Sequence, residues 1–290
     1  MLQIELLLNA LAAGILLGGF FAAISLGVSI VFGLLDIVNI AHPVFVVLGS
    51  YAAYPLNSTF GLDPVLAGVL VAPLFFGLGV AIYHIYYVFF ERTGADSLRG
   101  LVFFFGVLFL VEVSLIIVYG VDYRMVQAAY LGQSFNVGIV GFPYRLLVPF
   151  ALGVSMTLGL HFYMSRTYYG KAIMAVAQDS LALQLMGADP RRIKAIAFGL
   201  ALATAAIAGS SLIMISPVEP SMSREYIGRV FAIAVLGGMG SISGTLVAAI
   251  LLGVAESLTS TFFGPSWSPA VSFGILLLVF AIRPSGLFGR

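Results

Sequence analysis

Residues 165–198 read SRTYYGKAIMAVAQDSLALQLMGADPRRIKAIAF, the longest polar interval in an otherwise apolar chain. Residues 172–186 are good helix formers with no Gly or Pro among them, so they predict a helix. Gly187 is placed to end it, since Gly adopts the left-handed conformation without strain, and Asp189-Pro190 supplies an N-cap and a first helical residue. The pattern predicts a short helix outside the bilayer between two membrane spans. It fits a plain helical loop as well as a docking element for a soluble partner.

The composition of the chain is that of a membrane protein. Of its 290 residues, 61% are hydrophobic and 9% are charged, whereas a soluble protein carries about 25% charged residues. Long apolar runs predict an all-α polytopic integral membrane protein rather than a β-barrel. The net charge of +1 gives no basis for nucleic-acid binding, and the absence of Cys excludes disulfides and cysteine metal sites. No nucleotide-binding loop, HExxH or GxSxG motif occurs, so the chain is not expected to be an enzyme.

Hydrophobic runs predict about eight transmembrane helices within one domain over residues 1–290. A span needs about 20 apolar residues. The runs that we assign as spans are 6–31, 43–57, 64–90, 101–119, 145–164, 193–215, 229–262 and 267–282. The first has no basic segment before it and no cleavage site, so we expect it to be retained. Polar and glycine-rich interruptions predict broken or re-entrant segments near 33–43 and 237–244, and such interruptions in both halves of a chain point to a transporter's substrate site.

Basic residues in short loops predict the orientation of the chain. If the loop over residues 165–192 is cytoplasmic, nine of the thirteen basic residues share its side: Arg92, Arg99, Arg166, Lys171, Arg191, Arg192, Lys194, Arg283 and Arg290. The other side keeps four: Arg124, Arg145, Arg224 and Arg229. This bias places the N-terminus outside and the C-terminus in the cytoplasm.

Four sequence blocks carry a family resemblance when they are taken in order. They are GLLDIVNIAHPVFVVLGSYAAY (33–54), GKAIMAVAQDSLALQLMGADPRRIKAIAF (170–198), AVLGGMGSISGTLVAAILLGVAESL (234–258) and RPSGLFG (283–289). The chain resembles the LivH-type permease of bacterial branched-chain amino acid ABC importers. The resemblance implies a pore-forming subunit of the cytoplasmic (inner) membrane, with a related LivM-like permease, two ATPase subunits and an extracytoplasmic binding protein as partners. It implies no cofactor in this chain, because the ATPase subunits bind and hydrolyse ATP.

The resemblance also suggests roles for particular segments. The predicted helix over 171–187 corresponds to the coupling helix that contacts the ATPases, where a partner's groove would bury its apolar side. The residues expected in this contact are Ile173, Val176, Ala177, Gln178, Asp179, Leu181 and Gly187. The two interrupted segments are expected to border the substrate pathway, through Asn39, His42, Gly237, Gly238, Gly240 and Ser241.

The block around His42 leaves its role open. If residues 36–50 are helical, Asp36, Asn39 and Pro43 share one face. They would then either satisfy the backbone freed by Pro43 or line the route of a zwitterion. Pro43-Val44 departs from the family, which often has Gly and a polar or acidic residue at these positions.

Several alternatives for the substrate and the transport class remain open from the sequence. The resemblance implies a branched-chain or other hydrophobic amino acid, while similar-looking permeases carry urea, amides or aromatic acids. A self-sufficient secondary transporter or channel is the rival class, and it would need intramembrane acids for a coupling ion. Asp36 and Glu112 are the candidates for such a site. Glu112 also fits a structural carboxylate, and Glu256 is expected at the membrane interface.

Overall fold

The computed structural model describes residues 2–92, 97–283 and 286–289. Within these residues the fold is helical, as predicted, apart from one short β-hairpin. The α-helices are α1 (Leu2–Leu35), α2 (His42–Phe60), α3 (Pro64–Tyr86), α4 (Ser97–Tyr119), α5 (Tyr144–Arg166), α6 (Tyr168–Gln178), α7 (Ser180–Leu185), α8 (Pro190–Ile215), α9 (Ser223–Gly237), α10 (Ile242–Phe263) and α11 (Ser268–Ile282). The hairpin pairs β1 (Ser134–Val137) with β2 (Val140–Pro143), and the chain turns at Gly138 with a positive φ of 61°.

Six of the described helices are long and apolar enough to cross a membrane: α1, α3, α4, α5, α8 and α10. The sequence predicted about eight spans. The difference has two causes: α9 and α11 have only 15 residues each, and α2, with 19 residues, is less apolar because it includes His42, Pro55 and Asn57. The seventh apolar run, over 229–262, is divided between α9 and α10. The structure therefore retains the predicted all-α polytopic fold, with the breaks at the two expected places.

Small residues bring the helices at the centre of the bundle close together. A β-carbon on Gly14 of α1 would lie 2.6 Å from the Cα of Val254 in α10, and one on Gly79 of α3 would lie 2.8 Å from the Cα of Gly199 in α8. Close backbone approach through small residues is how helices associate where lipid removes the hydrophobic driving force. Two polar contacts among the described residues join α1 to α10: the hydroxyls of Ser29 and Thr245 lie 2.5 Å apart, and the Ser257 hydroxyl donates to the carbonyl of Ala10 at 2.8 Å.

The helices alternate in direction, so the loops gather at two ends of the bundle. The basic end holds the connections 36–41, 167–189 and 238–241, and it carries all the basic residues assigned to the cytoplasm except Arg290, which lies outside the described residues. The loop end holds the connections 61–63, 120–143, 216–222 and 264–267. At the loop end, Asn57 Nδ2 donates to the carbonyl of Gln127 at 2.9 Å, and Arg124 pairs with Val218 in an antiparallel bridge.

Two breaks in the helices meet near the basic end. After α1, Asp36 takes a positive φ of 56°, and residues 36–41 run back so that α2 begins beside Gly27 of α1. After α9, Gly238 and Gly240 have φ of 89° and 81°, a conformation that Gly adopts without strain. A β-carbon on Gly33 would overlap the backbone nitrogen of Gly240. The two breaks, dissimilar in sequence, therefore form one junction.

The C-terminal block RPSGLFG lies partly outside the described residues, at Pro284 and Ser285. Its described part packs against the end of α9. The backbone N–H of Leu287 donates to the carbonyl of Leu236 at 2.8 Å, which satisfies one of the carbonyls left free at a helix C-terminus. This segment fixes the end of α9 at the junction.

The polar interval over residues 165–198 differs from its prediction in one respect. The expected continuous helix is two helices, α6 and α7, because Asp179 leaves the helical conformation and accepts hydrogen bonds from the N–H groups of Leu181 and Ala182, both at 2.9 Å. Asp competes in this way with the helix backbone, which makes it a better cap than an interior residue. The predicted exit is confirmed. Gly187 has a φ of 84°, and the carboxylate of Asp189 caps α8 by accepting from Arg191 N at 3.0 Å.

Candidate functional site

The first candidate site is the polar group at the start of α2. Residues 36–41 are not helical, so Asp36 and Asn39 do not share a helix face with Pro43, and Asn39 instead forms a local turn in which its Oδ1 accepts from Ala41 N at 3.0 Å. The side chains of Asn39 and His42 are buried, at 1% and 0% exposure. Within the described residues, Asn39 Nδ2 has no hydrogen-bond partner. The His42 ring lies beside the backbone of Ile24, although neither ring nitrogen makes a hydrogen bond of good geometry. Buried polar atoms are nearly always hydrogen-bonded, so the Asn39 amide is the group here that a ligand or a water molecule would satisfy.

Two glycines of α1 contact the two groups of predicted pathway residues. Gly27 faces the His42 imidazole and Gly33 faces Gly240, and the two contacts lie about 9 Å apart along the helix axis and about 120° apart around it. The remaining predicted residues make backbone contacts or cap a helix. A β-carbon on Gly237 would lie 2.7 Å from the Gly244 carbonyl, and Ser241 Oγ accepts from Gly244 N at 3.1 Å. The structure therefore brings both groups of predicted residues to the two breaks, which meet at Gly33 and Gly240.

The second candidate site is the exposed part of α6 and α7 at the basic end. The structure separates the predicted coupling residues into two groups. Ile173 and Val176 are buried at 0% and 6% exposure in the chain's own core, so the expectation that a partner buries them is wrong. Their side of α6 packs against α5, α8 and α1. Ala177, Gln178, Asp179, Leu181 and Gly187 are exposed.

The exposed apolar side chains in this region lie mainly on and just after α7. Leu181 is 64% exposed, and Leu185 and Met186 are each 83% exposed. Leu185 and Met186 were not among the predicted contact residues. The sequence pointed only weakly to these two residues, because a helix that continued through Asp179 would have placed them on a different side from Ile173 and Val176. The break at Asp179 changes their orientation, and it leaves three apolar side chains exposed at the basic end of the bundle.

A π-helical turn, Tyr87–Glu91, continues α3, and contacts of these two elements with α8 connect this surface to the spans. Lys194 Nζ lies 2.5 Å from Glu91 Oε1, and the Tyr83 hydroxyl donates to Glu91 Oε2 at 2.9 Å. Arg191 Nη2 lies 2.6 Å from His84 Nδ1, and its guanidinium stands 4.6 Å from the centre of the Tyr87 ring. Only Ala188 and Asp189 lie between the turn at Gly187 and the start of α8 at Pro190. Sequence reasoning missed this network, whose one signal was the acidic Glu91 within the basic end.

Ion pairs neutralise the acids inside the spans. Glu112 of α4 accepts from Arg224 Nη2 at 2.7 Å and Nε at 3.3 Å. Glu256 of α10 accepts from Arg229 Nε at 3.0 and 3.2 Å, and it also accepts from the Ser272 hydroxyl of α11. Glu256 is 3% exposed, so its carboxylate is buried within the chain. Both arginines belong to α9, which is thereby held to α4, α10 and α11.

Comparison with known proteins gives consistent matches along the chain. Residues 10–280 match the family described as "Branched-chain amino acid transport system / permease component". The chain is 29% identical to the high-affinity branched-chain amino acid transport system permease protein BraD of Pseudomonas aeruginosa, over 98% of this chain and 96% of that protein. It is 26% identical to the permease protein LivH of the corresponding system of Escherichia coli K12, over 96% and 94% of the two chains.

A shorter match relates the chain to a second kind of permease. Over 122 residues it is 36% identical to the permease protein LivM of Escherichia coli K12, which covers 41% of this chain and 28% of that protein. No solved structure matches the chain.

Proposed function

The chain belongs to the family of permease components of branched-chain amino acid transport systems, and from this membership we propose that it is the membrane-spanning permease of an ATP-driven importer of aliphatic amino acids. The observation that carries the proposal is the match over residues 10–280 together with near-full-length similarity to BraD and LivH. The chain is a multi-pass membrane protein with six helices long enough to span a bilayer, within its described residues. Transport, and not catalysis, is its task.

The proposal includes a set of partners. Similarity to both LivH and LivM supports pairing with a related second permease. An importer of this kind also requires two ATPase subunits and an extracytoplasmic binding protein that delivers the substrate. The excess of basic residues at the basic end supports a cytoplasmic position for that end, with the N-terminus outside. The ATPases would then meet α6 and α7.

The exposed surface of α7 suggests how ATP hydrolysis is coupled to transport. Leu181, Leu185 and Met186 would enter a groove of the ATPase, and the ATP-dependent closure of the two ATPases would displace α7. The turn at Gly187 leads directly into α8, so the displacement passes to α8 and, through Lys194 and Glu91, to α3. The junction near His42 lies against α8, since a β-carbon on Gly27 would meet both His42 and the carbonyl of Ala201. Movement of α8 would thus change the polar junction and the access of substrate to it.

The rival class, a secondary transporter, has weaker support. A coupling-ion site needs acids that are free to bind the ion. Glu112 and Glu256 are each engaged by an arginine, and Asp36 is exposed. No pair of free acids occurs within the spans of the described residues, which favours a transporter powered by partner subunits.

Reconstitution tests the proposed function directly. The complete importer is placed in vesicles that enclose ATP, and accumulation of labelled L-leucine is followed after adding the binding protein outside. We expect accumulation to require ATP and catalytically active ATPases. Unlabelled isoleucine and valine should compete, and urea, amides and aromatic acids should compete less. Accumulation that follows an imposed ion gradient without ATPase subunits would contradict the proposal and support a secondary transporter.

A further inference from the structure

A cavity of about 350 Å³ lies at the loop end, apart from the junction of the two breaks. It is bounded by α1, α5, α9 and α10 and by the start of α11. Its apolar wall includes Leu17, Phe21 and Leu146. Its polar wall includes Arg229, Glu256, Ser257, Ser260 and Thr261. Pockets of about 300 Å³ and above, apolar with a few placed polar groups, are typical of small-molecule sites.

The guanidinium of Arg229 in this cavity has unused hydrogen-bonding capacity. Its Nε makes both contacts to Glu256, at 3.0 and 3.2 Å. Its Nη1 donates to the Glu225 carbonyl at the long distance of 3.5 Å, and no described residue accepts from Nη2. A guanidinium carries five N–H donors, so most of them are available although the side chain is only 14% exposed.

The second arginine of α9 provides a comparison within the same chain. Arg224 presents Nη2 and Nε together to Glu112, which is the two-pronged geometry of a complete ion pair. Its side chain is 58% exposed, so water can reach its remaining donors. Arg229 is less exposed, at 14%, and its guanidinium lies 5.4 Å from the ring centre of Tyr226 and 5.9 Å from that of Phe21. A largely buried guanidinium with free Nη donors is a feature of the cavity rather than of α9 in general.

We propose that this cavity binds a small aliphatic α-amino acid as a zwitterion, at the loop end of the permease, before the amino acid passes to the junction. This inference rests on the proposed function for the class of substrate. The ligand carboxylate would accept from the Nη atoms of Arg229, as planar carboxylates do from guanidinium. The ammonium group would donate to Glu256, whose Oε2 accepts only the 3.2 Å contact from Arg229. The aliphatic side chain would lie against Leu17, Phe21 and Leu146.

The charges of the site suit a zwitterion better than a simple anion or cation. Arg229 and Glu256 neutralise each other, so a ligand of net charge would leave one charge without a partner in an enclosed place. A ligand with one positive and one negative group adds a second dipole, and each of its charges meets an opposite charge. Ser260 and Thr261 add hydroxyls, which can donate or accept hydrogen bonds. They can therefore pair with either the carboxylate or the ammonium group of the ligand.

Direct binding to the complete importer tests the site without the binding protein. The complex is placed in lipid nanodiscs, and saturable binding of labelled L-leucine is measured. We expect leucine to bind at millimolar or lower concentration, and leucinol, which lacks the carboxylate, not to compete. Arg229→Lys keeps the positive charge and loses the planar N–H donor pair of the guanidinium, so it should weaken leucine binding about tenfold. Ser260→Phe, which fills the cavity and leaves the Arg229–Glu256 pair intact, should abolish it.

Arg224→Lys is the matched control, since it makes the same change at the other ion pair of α9, and it should bind leucine like the wild type. The proposal is overturned if the wild type shows no saturable binding, if leucinol competes as well as leucine, or if Arg229→Lys and Ser260→Phe both bind normally. ATP-dependent accumulation by the wild-type vesicles is recorded in parallel. Normal accumulation with any of these results leaves the proposed function standing and removes only this site, whereas loss of ATP-dependent accumulation in the wild type removes the proposed function itself.

Discussion

Replacing Leu185 with Ser tests the docking of α7 on an ATPase subunit. Leu185 lies at the end of α7 with 83% of its surface exposed, so the change removes little from the packing of the chain itself. Complete burial of a Leu side chain contributes about 1.5–3 kcal/mol. The exposed 83% therefore represents a contribution of about 1.2–2.5 kcal/mol if the partner covers it fully.

The loss of this contribution predicts the change in affinity. The entropy lost on association is the same for variant and wild type, so it cancels in their difference. Weakening by about 1.2–2.5 kcal/mol corresponds to an increase of about 8- to 70-fold in the Kd for the ATPase subunit. The assay is a titration of labelled ATPase onto the permease pair in nanodiscs, with substrate-stimulated ATP hydrolysis measured on the same samples.

A neighbouring polar position supplies the control. Gln184 is also exposed on α7, and Gln184→Ser removes no buried apolar surface, so it should bind the ATPase within about twofold of the wild type, since surface changes of this kind are usually within about 0.5 kcal/mol. Equal Kd values for Leu185→Ser, Gln184→Ser and the wild type would refute the assignment of α7 as the docking surface. The permease role would then depend on the family match alone.

Three further changes separate the other assignments. Val176→Asp should lower the melting temperature of the permease and its folded yield in detergent, because it places a charge in the chain's own core. Val176→Ala should have a smaller effect, and an unchanged melting temperature for the Asp variant would contradict the buried position of Val176. Gly240→Leu should reduce uptake in assembled complexes, since a side chain there would contact Gly33 and Leu34 and the residue has a φ of 81°. Normal uptake by the assembled fraction would show that Gly240 serves helix packing and not the substrate pathway. Single cysteines at Gln127 and Gln184 should react with an impermeant thiol reagent added outside cells only at Gln127, and labelling at Gln184 would invert the proposed orientation.

The sequence was sufficient to predict where the helices break but not what the breaks contact. Four glycines between 237 and 244 and the polar residues from Asp36 to Pro43 interrupt apolar runs, and both interruptions are present. The contact between Gly33 and Gly240 joins residues about two hundred positions apart. Nothing local specifies such a contact, because it depends on how α1 and α10 pack along their whole length.

The coupling segment shows a similar division between local and tertiary information. The turn at Gly187 and the cap at Asp189 follow from residue chemistry, and both are present. Ile173 and Val176 were assigned to a partner because their side of the helix is apolar. Apolar periodicity identifies a face that will be buried and does not identify the surface that buries it. In this chain α5, α8 and α1 cover that face, and the partner-facing apolar residues follow the break at Asp179.

The position of α9 links the two ends of the bundle. Arg224 and Arg229 hold its first half to α4, α10 and α11 at the loop end, and its last residue opens into Gly238 and Gly240, whose positive φ values allow the backbone to change direction. A 15-residue helix is rigid over about 22 Å. A change in its tilt at the loop end would therefore also move its other end, where Gly240 contacts Gly33. We expect a ligand that binds the Nη donors of Arg229 to affect this junction through α9. A substitution at Gly240 should accordingly reduce transport while leaving leucine binding at the loop end intact.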